Sequence, residues 1–118
     1  MLRRGSAAHS YRAEHAVELV NVGTRVAVAT ARVNMSGCTA GEYQYAALGS
    51  AVTLAANTAY YLASLESYGG DRWYNNVGPV TATNAGAVNA AVYFDGTNWH
   101  SGSGANTSYV PPNFVFTP

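Results

Sequence analysis

Three of the six carboxylates, Glu66, Asp71 and Asp95, stand in the half of the chain that also holds both tryptophans, Trp73 and Trp99. Two carboxyls flanking a glycosidic bond, one giving a proton and the other acting as base or nucleophile, would make a small glycan-active hydrolase or lyase. Asp71 in GGDR and Asp95 in FDGT, however, occupy places where turns recruit aspartate to cap nearby N–H groups. Turn formation is therefore their expected role. A Ser-His-acid triad would have to draw on His9, His15 or His100, and the GxSxG elbow that presents such a serine is absent. No HExxH, paired-cysteine or His-His spacing assembles a zinc site. Hard oxygen donors at Glu66, Asp71 and Asp95 leave Ca2+ as the ion to consider, on no more signal than the oxygens themselves. The single Cys38 forms no internal disulfide and has no local histidine to make it a thiolate, so it is expected to fill space beside Ser36-Gly37. The expectation is a protein without a catalytic apparatus.

Aromatic residues carry more information. Nine Tyr, two Trp and three Phe make up 12% of the chain, and many cluster. Tyr68, Trp73 and Tyr74 surround one set of turns, and Tyr93, Phe94, Trp99 and His100 surround another. Both indoles sit in polar company, in GGDRWYNN and DGTNWHSG. A sugar ring stacks its C–H face on such a ring and pairs its hydroxyls with a polar rim. The candidate ligand-binding residues are thus Trp73, Trp99 and Tyr74 as stacking surfaces, with Asp71, Arg72, Asn75 and Asn98 as the rim. Burial of an indole in the core is the competing expectation.

Composition agrees with an uncharged partner. Six Arg balance six Asp and Glu, with no Lys, and charged residues are 10% of the chain, against about 25% in ordinary domains. Nucleic-acid binders carry a basic face. Here the nearest approach, Arg3, Arg4 and Arg12, is cancelled by Glu14 and Glu18. No run of 18 apolar residues spans a membrane, and MLRRGSAAHS lacks the apolar stretch of an export signal. With 118 residues the chain is expected to form one domain over 15–118, preceded by a solvated and mobile segment over 1–14.

The elements that must position these residues are short strands. HAVELV at 15–20 alternates, with Val17 and Leu19 on one side and Glu18 on the other. A turn at Asn21-Val22-Gly23-Thr24 leads into 25–33, where Val26 and Val28 alternate with alanines, and the two segments form a hairpin. NMSGCTAGE at 34–42 is a loop. Further strands are expected over 42–48, 51–54, 58–66, 72–75, 79–84, 87–94 and 109–116. Turns are expected at 68–71 and at Asp95-Gly96, and a polar loop over 101–108. Pro111-Pro112 confines the last strand to an edge or entrance. About eight short strands with turns every 8–12 residues predict an all-β, antiparallel β-sandwich of jelly-roll or Greek-key type.

One stretch, LAANTAYYLASLE at 54–66, has the parts of a sandwich corner. Asn57 is suited to a left-handed conformation, and Tyr60 follows where its hydroxyl can return to backbone a few residues upstream. Tyr61 then faces the other way.

The longer stretch TLAANTAYYLASLESYGGDRWYNN resembles a segment of jelly-roll, galactose-binding-like accessory domains of large secreted bacterial proteins, which are carbohydrate-binding-module-like. The resemblance is firmest over Val52–Asn75 and looser over Ala16–Leu48 and Val88–Phe116. Gly69, Gly70, Asp71, Trp73 and Tyr74 match its pattern. It implies a secreted or cell-surface setting and binding or adhesion rather than catalysis. Such sandwiches carry further strands before the HAVELV-like one, so the sandwich is expected to be truncated at its N-terminal edge. An open edge invites a second copy to pair, which makes a homo-oligomer the implied assembly.

The leading expectation is a non-catalytic module for neutral carbohydrate. A structural, self-assembling β-domain without small-molecule ligand and a small glycan-active hydrolase or lyase are its rivals.

Overall fold

Alternation in the sequence is met by strands at HAVELV, over 27–34 and over 60–64. The computed structural model describes residues 2–5, 14–37, 39, 42–65, 77–109 and 113–116. Among them every regular element is a β-strand and every pairing is antiparallel. No helix among these residues is long and apolar enough to cross a membrane. The chain divides into two compact units, one of Met1–Trp73 with Pro112–Thr117 and one over Tyr74–Pro111.

The first unit holds two three-stranded sheets. In one, β2 (Glu14–Asn21) lies between β3 (Ala27–Asn34) and β5 (Tyr60–Ser64). In the other, β1 (Leu2–Gly5) lies between β4 (Tyr43–Ala46) and β10 (Asn113–Phe114). The pairing of β1 falls within the segment for which the sequence predicts no strand. Val17, Ala31, Val33 and Met35 form the buried centre, and Ala46, Leu48, Leu62 and Phe114 pack against it. Side chains from both sheets thus fill one core. Burying each larger apolar side chain contributes about 1.5–3 kcal/mol.

The β2–β3 hairpin forms where the alternation predicts it, with Val17 and Leu19 buried and Glu18 exposed. The alternation expected over 25–33 is kept, with the alanines on the buried side. Ala29, Ala31 and Val33 are buried, while Val26 and Val28 face out, Val26 at 60% exposure. Side-chain direction alternates along a strand, so burying Val33 and the alanines sends the preceding valines to solvent. The register shift between Leu19 and Val20 lies at this end of the ladder. In the turn, Thr24 N–H donates to Asn21 Oδ1 at 3.0 Å, and Arg25 takes a positive φ of 63°.

Residues 51–54 are not a strand. Their connection is organised by Tyr60, whose hydroxyl accepts the Ala55 N–H at 3.0 Å, with Asn57 left-handed at φ 54°. A side-chain oxygen here does what a neighbouring strand would otherwise do. Tyr61 faces away from it and lies beneath the Arg25 guanidinium, 5.9 Å from the ring centroid.

The second unit contains two two-stranded ladders. β6 (Gly78–Pro79) pairs with β9 (Thr107–Ser108), and β7 (Ala91–Phe94) pairs with β8 (Trp99–Ser103). The strand expected over 87–94 is paired only in its second half, because Val88 gives its carbonyl to the Asn106 N–H at 2.9 Å. That expected over 79–84 is reduced to Gly78–Pro79, and of that expected over 109–116 the described residues include a strand at Asn113–Phe114. The expected loop over 101–108 contains the end of β8 and all of β9. Its Ser and Gly residues suggest a loop by composition, but Ser101–Ser103 and Thr107–Ser108 are paired in ladders and only residues 104–106 lie between them. A Cβ on Gly102 would overlap the ring and hydroxyl of Tyr109, so a side chain there requires that ring to move. The strand and turn expected over 72–75 and 68–71 lie outside the described residues.

Candidate aromatic binding site

The β7–β8 hairpin brings the second aromatic cluster together. Phe94 pairs directly with Trp99 and Tyr93 with His100. Because neighbours along a strand point to opposite faces, the hairpin carries a different pair of rings on each side. On one face the Phe94 and Trp99 rings lie 5.2 Å apart and tilted by 43°. Trp99 is half-buried, while Phe94 is 52% exposed. On the other face Tyr93 stacks on His100 at 5.1 Å with 23° between planes. Tyr109 meets Tyr93 edge-on at 6.0 Å.

The turn that joins the strands is built by Asp95. Its Oδ1 accepts the N–H groups of Thr97 and Asn98, each at 2.7 Å, and its own N–H donates to the Asn98 carbonyl at 3.0 Å. Gly96 takes φ 100°, a conformation that costs glycine little and other residues much. The remaining carboxylate oxygen, Oδ2, lies 2.6 Å from His100 Nε2. The Asn98 N–H, then the His100 ring and the Thr97 N–H, hold the Asp95 carboxyl down from 3.8 to about 2. It is ionised at neutral pH and has no proton to donate as a general acid.

Trp99 and Asn98 therefore stand together at one hairpin end, Asn98 exposed at its tip. Trp73, Tyr74, Asp71, Arg72 and Asn75 lie outside the described residues, as do Glu66, Cys38 and His9. His15 is buried in β2, opposite Val33. No three His, Cys, Asp or Glu side chains come together among the described residues to hold a metal ion. The neighbours of Trp99 that matter most, Phe94 above all, were visible as an aromatic cluster on either side of an Asp-Gly turn. The cross-strand register that makes them partners was not.

No protein-family model, curated protein or solved structure matches the chain.

Proposed function

We propose that this all-β chain is a non-catalytic binding module of β-sandwich, jelly-roll type that holds a neutral carbohydrate on the aromatic end of the β7–β8 hairpin. The observation that carries the reading is the exposed Phe94 ring beside Trp99, at 5.2 Å, next to the polar tip that Asn98 occupies. Neighbouring rings with one half-buried and one exposed offer a fixed apolar patch to the C–H face of a sugar. Asn98 adds both a donor and an acceptor for hydroxyls. Such binding requires no charge, and the chain has none in net.

Trp73 and Tyr74, with Asp71, Arg72 and Asn75, belong to the same reading as a second stacking segment. The two-sheet core of the first unit supports the sandwich. A hydrolase finds less support, because Asp95 spends both oxygens on the turn and on His100.

Calorimetry against soluble neutral oligosaccharides, cellohexaose and mannohexaose among them, tests the proposal. At least one should bind, and Trp99→Ala should weaken it by about 1–3 kcal/mol, the worth of a stacking ring by analogy with base stacking. Equal binding by wild type and variant, or no binding by any member of the panel, overturns it.

A further inference from the structure

We propose that the opposite face of the same hairpin is a second contact site, in which His100 offers its Nδ1 as a hydrogen-bond acceptor to a hydroxyl of a sugar lying along Tyr93. Asp95 fixes the arrangement. Its Oδ1 is held by two backbone N–H groups, which sets the direction in which Oδ2 meets His100 Nε2 at 2.6 Å. A carboxylate only accepts, so the proton in this bond sits on Nε2. In the neutral imidazole the lone pair is then on Nδ1. Among the described residues no group hydrogen-bonds Nδ1, and the side chain is 43% exposed.

The ring is also held in place. It stacks on Tyr93, whose other contact is the edge of Tyr109, and Tyr109 lies over Gly102. The groups against His100 are thus the Asp95 carboxylate and the Tyr93 ring. An anionic ligand would meet the Asp95 charge at close range. An uncharged hydroxyl donor meets an acceptor beside an aromatic floor that is 48% exposed at Tyr93. This site shares with the proposed function only the assumption that the ligand is a neutral sugar.

The tautomer can be read directly by two-bond 1H–15N correlation spectra of the imidazole at alkaline pH. Wild type should show a protonated Nε2 and a bare Nδ1. In Asp95→Asn the carboxamide oxygen can still take the Thr97 and Asn98 N–H groups while its NH2 turns to Nε2, which moves the proton to Nδ1. With cellohexaose and mannohexaose as probes, the Nδ1 resonance should shift on binding. His100→Phe, which keeps a ring on Tyr93, should bind about fivefold more weakly, the worth of one hydrogen bond. A wild-type proton on Nδ1 overturns the inference. So does a sugar that moves the Trp99 indole signal yet leaves His100 unmoved and His100→Phe unweakened, a result that would leave the platform standing. A shift at His100 without one at Trp99 supports the second site and removes the first. No shift at either removes both.

Discussion

The Tyr60 hydroxyl accepts the backbone N–H of Ala55, five residues upstream, at 3.0 Å. This bond closes a corner in which Asn57 is left-handed and from which β5 departs to pair with β2. It gives the connection a fixed shape without any strand over 51–54.

Tyr60→Phe removes that acceptor and leaves the ring. The first unit should lose about 0.5–1.5 kcal/mol, measured as a lower urea midpoint at unchanged slope. Asn57→Gly should be tolerated at the same site, whereas Asn57→Ala should cost about 1 kcal/mol because of its positive φ. Equal stability of Tyr60→Phe and wild type would show that the bond contributes nothing.

Asp95 makes the hairpin tip sensitive to acid. Its folded pKa of about 2 lies below the ordinary 3.8, so the ionised form favours the folded turn. That contribution is complete above about pH 4 and is lost as the pH falls through about 2. A carboxyl carbon titration by NMR checks this. In His100→Ala the value should rise part of the way, because the Asn98 and Thr97 N–H groups remain. A wild-type midpoint near 4 would contradict the hydrogen-bond pattern.

Gly102→Ala places a methyl group where the Tyr109 ring lies. Relief requires the ring or β8 to move, at a cost of about 1–3 kcal/mol to the second unit. The ring-current shifts that Tyr109 imposes on Tyr93 should disappear. If both stability and shifts are retained, Tyr109 does not rest on Gly102.

Met35 sits in the centre of the first unit at 2% exposure. Met35→Ala should cost about 2–5 kcal/mol, seen in thermal or urea unfolding. Truncating the outward Val26 to alanine should change stability by less than about 0.5 kcal/mol. Similar losses from the two would contradict the burial of Met35 and the exposure of Val26.

Much of the strand content was legible because it depends on local pattern. HAVELV carries its own alternation, Asp95-Gly96 its own turn chemistry, and Asn57 with Tyr60 the parts of a corner that lie within reach of one another. Where the pattern was silent or misled, the buried side of a strand or its ladder partner decided the outcome. Val26 and Val28 alternate with alanines, and only the burial of Val33 and Met35 shows which of the two sides is inward. Ser101 to Ser103 look like loop until β7 supplies a ladder.

The sequence by itself determined an antiparallel β protein with little charge and an aromatic cluster beside an Asp-Gly turn, since propensity, periodicity and composition are properties of neighbouring residues. Only the tertiary structure decided that Phe94 is the partner of Trp99, that His100 stacks on Tyr93 and answers to Asp95, and that Gly102 makes room for Tyr109. Those relationships depend on strand register and on which face a side chain takes. A shift of one residue would reverse every one of them without changing the composition or the alternation at all.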